Sequence, residues 1–448
     1  MQGAGATAIG VAPRPTRAQI EALVEDDRVH RDLYLSQALF ALEQKHFFAN
    51  TWNYVGHASQ VPNAGDYRTV ELAGRPLVLV RRDDGSVGVL YNRCAHKGTP
   101  LVSDGAGNTG RFFRCPYHAW TYRLDGTLRA VPLASGYDGT AMRECETGQG
   151  MQAPAGVAVH RDFVFVKLNP GGPDFASYFG EALAAIDNLV DRSPVGRLHV
   201  AGGCLRSLIR CNWKTYLENI NDTVHPLSTH ESATAAAAAV WQDRPADAPK
   251  PMAMEQILPF GAGHDFFDRM GGRVLPNGHS VLGTRYSIHS GYGQLPDYEA
   301  AMRVAHGDER AAEILQRSPQ NALCYPSLAL KGSPQAIRVI RPLAADRTIV
   351  EAWSFRVEGA PDLLLERSVT YNRLVFSAMS VVAHDDIHVF QGIQKGLRGE
   401  GNEWVSLHRG FATGERETAT RDVNGTNELL MRNQFRAWLK FMTLDMAD

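Results

Sequence analysis

Two short strings in the first third of the chain each combine one cysteine with one histidine. Cys94 and His96 form the first pair, and Cys115 and His118 form the second. Two thiolates and two imidazoles carried on two loops can enclose a metal. Zinc accepts such a set in a tetrahedral site, whereas one type of [2Fe–2S] cluster takes two cysteines on one iron and two histidines on the other. Zinc fingers usually have both cysteines before both histidines, so the interleaved order found here favours the cluster.

A second group of candidate metal ligands stands further along the chain, at His225 and His230. Two histidines and one carboxylate on one face of Fe(II) leave positions open for O₂. On an unbroken helix these two histidines would lie about 140° apart, which is too wide for one ion. Pro226 follows His225, and the residue before a proline resists helical geometry. We therefore expect the helix to end or bend near His225, so that His230 can return to the same metal.

These strings resemble motifs of a known family. Residues 91–98 (YNRCAHKG) and 115–120 (CPYHAW) are similar to the two cluster-binding loops of Rieske domains. Residues 212–230 resemble the iron-binding helix of Rieske ring-hydroxylating oxygenases, and residues 30–62 and 432–438 are similar to the large subunits of aromatic-ring hydroxylating dioxygenases. The chain as a whole resembles the large (alpha) subunit of a Rieske non-haem iron oxygenase.

Two features of the loops refine this resemblance. Respiratory-chain Rieske proteins usually carry an additional cysteine in each loop, and here Gly98, Thr99 and Tyr117 stand in that neighbourhood. The resemblance therefore implies the lower-potential type found in oxygenases and ferredoxins. Ala119 stands where the family often has glycine, and alanine would be strained there if the backbone needs a positive φ.

The resemblance implies a cluster-binding role for the four residues of the first site, Cys94, His96, Cys115 and His118. It likewise implies that His225 and His230 bind a mononuclear Fe(II). The family takes its third iron ligand from an acidic pair late in the chain, and the matching string is residues 384–388 (HDDIH). We assign this role to Asp386. The string leaves three alternatives open: Asp385, His384 and His388.

Asp222 stands three residues before His225, so both side chains can face the same way on a helix. In the family, the matching aspartate links a cluster histidine of a neighbouring subunit to an iron-binding histidine. The resemblance thus implies an electron path from His118 of one chain through Asp222 of the next to His225. It also implies a ring of subunits, a homotrimer or a multiple of three. Asn219, in the same string, is expected to serve catalysis together with Asp222.

The function that the resemblance implies is that of a terminal oxygenase. It would use electrons from an NAD(P)H-dependent reductase, directly or through a ferredoxin, and O₂ to dihydroxylate a small aromatic substrate. Two alternatives stay open: a Rieske monooxygenase that performs single hydroxylation or O- or N-demethylation, and a pure electron carrier. A separate small beta subunit can accompany such an enzyme.

The composition of the chain is that of an ordinary globular protein. Of its 448 residues, 44% are hydrophobic, and 46 basic residues stand against 48 acidic ones. This balance gives no reason to expect nucleic acid or a membrane surface as a partner. Residues 1–14 lack the continuous apolar stretch of a secretory signal, and the apolar runs are far shorter than the roughly 20 residues of a membrane span. We therefore expect a cytoplasmic protein.

The elements that must position these residues are those of an α+β protein. Asp-Gly pairs at residues 84–85 and 125–126 predict hairpins, which belong to an all-β Rieske domain over residues 45–170. A catalytic domain over residues 171–448 is expected to contain an antiparallel sheet surrounded by helices, in a helix-grip-like arrangement. An arm and a helix over residues 1–44 are expected to pack on the catalytic domain.

Local patterns predict further elements of the chain. The apolar spacing predicts helices over residues 34–49, 175–192 and 211–225 and a final helix from Thr426. Strands are predicted over residues 336–341 and 348–357. Residues 233–282 combine an alanine run with many glycines and prolines, and we expect a long loop or lid there with little regular structure.

Overall fold

The computed structural model describes residues 15–144, 149–245, 247–289, 295–415 and 420–446. Residues 1–14 of the expected N-terminal arm lie outside these ranges. The first elements of the described chain are α1 (Arg17–Glu21), β1 (Arg28–His30), α2 (Asp32–Leu35), α3 (Gln37–Leu42), a π-helical turn (Glu43–Phe47) and α4 (Phe48–Asn50). The helix predicted over residues 34–49 is confirmed, with a break at Ser36. The extended backbone of Ser36 ends α2, and its side chain accepts a hydrogen bond from the Leu39 N–H as the N-cap of α3.

The next part of the chain is built from strands, with one described α-helix, α5 (Ala141–Glu144). The strands are β2 (Asn53–His57), β3 (Asp66–Leu72), β4 (Arg75–Arg81), β5 (Val87–Tyr91), β6 (Ala106–Asn108), β7 (Phe112–Arg114), β8 (Thr121–Arg123), β9 (Leu128–Ala130), β10 (Gly156–His160) and β11 (Phe163–Lys167). They form three antiparallel sheets with the strand orders β10-β11-β2, β5-β4-β3-β6 and β7-β8-β9. The expected all-β domain is therefore confirmed.

Both predicted hairpins of this domain are present. The first connects β4 to β5, and Gly85 in its turn has a φ of 81°. The second connects β8 to β9, with Gly126 at a φ of 94°. In each turn the aspartate before the glycine accepts a hydrogen bond from the N–H two residues later, which is the local bond that makes Asp-Gly a turn sequence.

The remainder of the chain alternates helices with strands. Its helices are α6 (Phe175–Phe179), α7 (Leu183–Asp191), α8 (Trp213–Ile220), α9 (Pro226–Thr229), α10 (Glu231–Trp241), α11 (Met252–Ile257), α12 (His264–Arg269), α13 (Pro296–His306), α14 (Asp308–Gln316), α15 (Asp362–Val375), α16 (Val381–Gly396) and α17 (Leu429–Met442). Its strands are β12 (Leu198–Ile209), β13 (Gly272–Val274), β14 (Ser280–Leu282), β15 (Asn321–Cys324), β16 (Leu328–Lys331), β17 (Ala336–Ala344), β18 (Arg347–Val357), β19 (Trp404–Ser406) and β20 (Arg421–Val423).

Most of these strands form one antiparallel sheet. Within the described ranges it has eight strands, in the order β12-β18-β17-β16-β15-β14-β13-β20. Helices α15 and α16 pack against its β12 edge, and α17 packs near β13 at the other end. The predicted α+β class, with an antiparallel sheet and surrounding helices, is confirmed. The strands expected over residues 336–341 and 348–357 are β17 and β18. None of the helices in the described ranges is long and apolar enough to cross a membrane.

The expectation for the helix near His225 was wrong in its details. The helix predicted over residues 211–225 ends at Ile220, before the histidine. His225 itself has helical geometry, with φ −60° and ψ −32°, and precedes α9 as its N-cap. Pro226 occupies the first turn of α9, where a proline removes no hydrogen bond that the helix needs. The chain therefore bends before His225, and the proline starts a new helix there.

Residues 233–282 are more regular than the sequence predicts, which corrects the expectation of a long loop or lid. The alanine run forms part of α10, because alanine has the strongest intrinsic preference for a helix. Helices α11 and α12 and strands β13 and β14 follow. Their apolar side chains pack into one buried cluster that includes Ile257, Phe260, Phe267, Met270 and Leu282. Burial of these side chains gives the segment its structure despite its glycines and prolines.

Two other helices also differ from the predictions. The final helix begins at Leu429 and not at Thr426. The helix expected over residues 175–192 is divided into α6 and α7 by a short 3₁₀ turn that starts at Gly180. Gly180 has a positive φ of 47°, which favours glycine and interrupts a regular helix.

Several contacts hold the N-terminal segment against the second half of the chain. Strand β1 pairs with β19. The carboxylate of Glu43, 1% exposed, accepts hydrogen bonds from Lys214 Nζ at 2.5 Å, Trp213 Nε1 at 2.9 Å and Trp438 Nε1 at 2.7 Å. The division of the chain at residues 44 and 170 stays a prediction, and we propose it because these contacts join the N-terminal segment to the expected catalytic domain.

Candidate metal centres

The two cysteine–histidine pairs lie in neighbouring turns of the all-β domain. Cys94 and His96 follow β5, and Cys115 and His118 lie between β7 and β8. Each turn is closed by its own backbone, since the Gly98 N–H donates to the Cys94 carbonyl and the Ala119 N–H to the Cys115 carbonyl, each at 3.0 Å. The rings of His96 and His118 approach to 4.7 Å between centroids. The fold thus brings together all four residues that the sequence singled out.

The residues at this site fit a [2Fe–2S] cluster. Nδ1 of His96 is buried and has no hydrogen-bond partner, which is costly for an imidazole unless a metal takes the position. Both cysteines are buried. The Tyr122 hydroxyl lies 3.0 Å from Cys94 Sγ. Burial raises the pKa of Tyr122, and the contact with Cys94 adds to this, so the hydroxyl stays protonated and can donate to a thiolate.

The backbone at Ala119 is in the left-handed conformation, so the condition for strain at this position is met. Its φ is 55°, a region in which residues with a side chain are strained. This conformation lets the Ala119 N–H and the Cys115 N–H bond within the turn, the latter to the Trp120 carbonyl at 2.8 Å. The Trp120 ring in turn stacks on His96 at 4.8 Å between centroids. The strained residue therefore shapes the turn that carries the second pair.

The second site is formed by both ends of α9 together with α16. His225 precedes α9 and His230 follows it, while Asp386 lies in the second turn of α16. One ligand atom from each of the three lies within 4.8 Å of the others. Asp386 Oδ1 is 3.9 Å from His225 Nε2 and 3.5 Å from His230 Nε2. Two imidazoles and one carboxylate around a common point are the donor set of a facial triad.

The remaining imidazole nitrogens face two other aspartates. His225 Nδ1 lies 2.8 Å from Asp222 Oδ2, and His230 Nδ1 lies 3.4 Å from Asp385 Oδ2. A carboxylate at Nδ1 keeps the proton there and leaves Nε2 free to bind a metal. Since successive helical residues point about 100° apart, Asp385 and Asp386 can serve these separate positions. The geometry favours Asp386 over Asp385 as the third ligand. His384 and His388 are exposed and lie outside the group.

The pKa values at this site follow from burial and from these contacts. Burial raises the pKa of Asp386 despite the two nearby histidines. Burial alone would lower the pKa of His225, but the bond to Asp222 and the proximity of Asp386 outweigh it and raise the value. Burial lowers the pKa of His230. The raised pKa of Asp386 indicates that the two imidazoles compensate the negative charge of its carboxylate only in part, and a divalent cation would supply further positive charge.

Asn219 lies between the candidate ligands. Its Nδ2 is 3.1 Å from His225 Nε2 and 3.3 Å from Asp386 Oδ1. It stands near the end of α8, and the short connection from α8 to α9 carries Asp222. The structure thus brings both residues that were expected to serve catalysis into contact with the histidine–aspartate group.

A cavity opens beside this group. It is lined by the two histidines and Asp386 and by apolar side chains that include Phe260, Ile288, Val375 and Phe376. An adjoining cavity shares Asn219, Arg338 and Asp386 with it. Such a mixture of apolar walls and a few polar groups is typical of a small-molecule site.

Sequence reasoning missed three polar residues around this site. Asp385 was considered only as an alternative ligand, and its position at His230 Nδ1 depends on how α16 packs against α9. Lys331 and Arg338, which line the cavity, were not singled out. A signal was present, because Lys331 ends the otherwise apolar strand β16 with the sequence LALK.

Two family descriptions match the chain. Residues 51–141 match the Rieske [2Fe-2S] domain, and residues 191–443 match the ring hydroxylating alpha subunit (catalytic domain). Together with the two sites, these matches define a Rieske-type oxygenase. Since the second match spans more than half of the chain, the protein belongs to the family of ring-hydroxylating alpha subunits. It is an oxidoreductase with a Rieske [2Fe–2S] cluster and a mononuclear iron as cofactors and O₂ as co-substrate.

Curated relatives align over most of the chain. The anthranilate 1,2-dioxygenase large subunit of Acinetobacter baylyi is 29% identical over 395 residues, covering 86% of this chain and 80% of that protein. The biphenyl dioxygenase subunit alpha of Paraburkholderia xenovorans is 28% identical, covering 96% and 94%. The N,N-dimethyl phenylurea N-demethylase subunit alpha of a Sphingobium species is 26% identical, covering 96% of both.

Solved structures share the fold. Naphthalene 1,2-dioxygenase from a Rhodococcus species superposes with a TM-score of 0.76 at 20% identity, over 96% of this chain and 98% of that chain. A quaternary ammonium Rieske monooxygenase superposes with a TM-score of 0.63 at 17% identity, over 97% and 100%. The same arrangement of domains therefore occurs in enzymes named for dioxygenation and in enzymes named for monooxygenation.

Proposed function

We propose that this chain is the terminal oxygenase subunit that adds both atoms of O₂ to an aromatic ring. The observation that carries the assignment as an oxygenase is the arrangement of His225, His230 and Asp386 beside a cavity with apolar walls, with each histidine Nδ1 facing a further aspartate. The addition of both oxygen atoms is proposed because most of the relatives reported above are named dioxygenases. A protein that acted only as an electron carrier would need neither this cavity nor open coordination positions at an iron.

The chain's own residues have distinct roles in this proposal. The cluster ligands are Cys94, His96, Cys115 and His118, and the iron ligands are His225, His230 and Asp386. The iron, when bound, supplies the activation of O₂. Asp222 and Asp385 orient the two imidazoles, and Asn219 can donate a hydrogen bond to Asp386. The apolar walls hold the substrate ring over the site and exclude water.

We further propose that electrons reach the iron from a neighbouring subunit. His118 is exposed, and the neighbouring Tyr117 is 65% exposed, so the cluster loop is accessible to another chain. Asp222 lies at His225 with its side chain 16% exposed. Docking of His118 of one chain against Asp222 of the next would complete the path. This requires a ring of subunits, which we propose is a homotrimer or a multiple of three, with or without a beta subunit.

The electrons are proposed to come from an NAD(P)H-dependent reductase, directly or through a ferredoxin. A cytoplasmic location follows from this source, because NAD(P)H is an intracellular reductant. No nucleic acid or membrane is needed as a partner. These parts of the proposal rest on the class of enzyme and on the balanced charge of the chain.

A second candidate is monooxygenation, by single hydroxylation or by O- or N-demethylation. It is favoured by the relative that is named an N-demethylase. The relatives named dioxygenases include enzymes named for anthranilate, toluate and 2-halobenzoate and others named for biphenyl and benzene. The dioxygenase names are the more numerous among these, so dioxygenation is the function that we propose first.

Product analysis with isotopically labelled O₂ tests this proposal. The purified protein is supplied with a surrogate reductase, a ferredoxin and single- and double-ring aromatic substrates. Two labelled oxygen atoms in one product support dioxygenation. One labelled atom, or a dealkylated product, would establish the monooxygenase alternative. Iron analysis separates the pure carrier, which would hold only the two irons of the cluster and no third iron.

A further inference from the structure

Two cations project into the cavity beside the proposed iron site. Lys331 is the last residue of β16, and Arg338 lies in the neighbouring strand β17. The register pairs Ala329 with Arg338 and Lys331 with Ala336, so both cationic side chains leave the same face of the sheet. Lys331 is 2% exposed and Arg338 is 5% exposed, and both line the cavity that contains the two histidines.

Neither cation has an acidic partner among the residues that the structure describes. Arg338 Nη2 donates to Asn321 Oδ1 at 2.5 Å, and its guanidinium lies over the Phe376 ring at 4.8 Å. Its Nε is buried without a hydrogen-bond partner. Lys331 Nζ lies 5.5 Å from the centre of the Tyr371 ring. These contacts of Lys331 and Arg338 are therefore all with neutral groups.

Two unpaired cations in one enclosed space are energetically unfavourable. Burial lowers the pKa of Lys331 well below its ordinary value, and the nearby Arg338 lowers it further. The carboxylates on the cavity wall do not relieve this, because Asp222 and Asp386 are engaged with the histidines. A buried charge without a partner is a large cost to the folded protein. An anionic ligand between the two side chains would supply the missing negative charge and favour the protonated amine of Lys331.

We propose that Lys331 and Arg338 form a subsite for a carboxylate group carried by the aromatic substrate. This inference rests on the proposed oxygenase function and adds the substrate class to it. The planar guanidinium of Arg338 retains a free Nε donor that matches a carboxylate oxygen, and Lys331 supplies a second charge. The ring of the substrate would lie against Val375 and Phe376, which line the same cavity as Asp386. Anchoring of the carboxylate would thus select which ring edge faces the iron. A cationic substrate would be repelled.

The test measures binding to the metal-loaded, full-length protein without reductant. Titration calorimetry compares benzoate with benzamide and 2-naphthoate with 2-naphthamide, two pairs that differ in charge but hardly in shape. We expect the wild-type protein to bind each carboxylate about 10- to 100-fold more tightly than its amide, as a charge-assisted contact provides. Lys331→Met should remove most of this preference, and Lys331→Arg should retain much of it. Lys395→Met, at an exposed lysine on α16, is the matched control and should leave it unchanged.

Thermal unfolding of the same variants distinguishes a ligand-binding role from a structural one. Lys331→Met replaces a buried amine that has no acidic partner among the described residues, so its Tm without ligand should equal or exceed that of the wild type, while the rise in Tm on adding benzoate should disappear. A fall in Tm without ligand, together with an unchanged preference for carboxylates, would show that Lys331 is structural and would overturn the proposal. Amides binding as tightly as carboxylates, or neither member of a pair binding, would overturn it as well.

Acetate serves as a further probe, because a general anion site would bind it as tightly as benzoate, and that result would contradict a substrate subsite. The outcome is also independent of the oxygenase proposal. If benzoate binds selectively but is not oxygenated, the subsite proposal is supported and the proposed reaction is refuted. If neutral arenes are oxygenated and amides bind as tightly as carboxylates, the proposed reaction is supported and the subsite proposal is refuted.

Discussion

At the scale of single residues, three aspartates have different roles at the proposed iron site. Asp386 faces the Nε2 atoms of both histidines, whereas Asp222 and Asp385 each face one Nδ1. The two neighbours Asp385 and Asp386 therefore differ in what they can do, although the sequence presents them as equivalent. An aspartate at Nδ1 fixes the tautomer and the orientation of the ring, and only Asp386 is in a position to share a metal with both rings.

This division predicts different effects for two neighbouring substitutions. Asp386→Asn should remove the mononuclear iron while the absorption spectrum of the cluster is retained. Asp385→Asn, the matched control, should retain the iron but weaken its binding about 10- to 100-fold, as loss of an orienting carboxylate does. Metal analysis after dialysis against a chelator measures both effects. Loss of the iron from the Asp385 variant alone would reverse the assignment.

At the scale of elements, the position of α8 depends on a buried ionic contact. Glu43 in the π-helical turn accepts hydrogen bonds from α8 through Trp213 and Lys214 and from α17 through Trp438. Helix α8 carries Asn219 near its end and leads directly to Asp222. Three elements that are distant in the chain are therefore fixed at one carboxylate, and the start of the iron-site segment is fixed with them.

We expect Glu43→Gln to destabilise the protein, because it leaves Lys214 as an unpaired buried cation. Breaking a buried ion pair by removing one partner costs about 3–5 kcal/mol, so Tm should fall by several degrees in a thermal scan. Lys214→Met should also destabilise the protein. The double variant should lose less than the sum of the two, since it removes both charges. Strictly additive losses would show that the two residues are not coupled.

At the scale of the whole molecule, the two metal sites lie in different parts of the chain and differ in accessibility. His118 is exposed at the cluster loop, whereas His230 at the proposed iron site is buried. An exposed electron donor and a largely enclosed acceptor can be connected by docking one subunit onto the next. The proposed ring of subunits is therefore part of the catalytic arrangement.

Mixed oligomers test this arrangement. One variant, Cys115→Ser, should lack the cluster, and another, His225→Ala, should lack the mononuclear iron, so each alone should be inactive. Co-expression of the two with different affinity tags yields mixed rings, which should regain part of the substrate-dependent O₂ consumption if electrons pass between subunits. The two proteins mixed after separate purification serve as the control. Inactive mixed rings, or a monomeric wild-type protein, would contradict transfer between subunits.

The sequence by itself was sufficient for features that depend on neighbouring residues. The two cysteine–histidine pairs and the Asp-Gly hairpins follow from local spacing and backbone preference. The class of protein followed from the resemblance of these short, contiguous motifs to a known family. The predictions from local sequence were wrong at His225, because Pro226 starts a helix there and does not end one. They were also wrong over residues 233–282, because burial of scattered apolar side chains gives this segment its regular structure.

Only the tertiary structure decided how residues distant in the chain meet. It distinguished Asp386 from Asp385, because that difference depends on the rotation of α16 against α9. It also brought Lys331 and Arg338 to one face of a sheet and into the cavity. The physical reason is that spacing along the chain determines local backbone geometry, whereas packing of helices and strands determines the distances on which metal binding and recognition of charge depend.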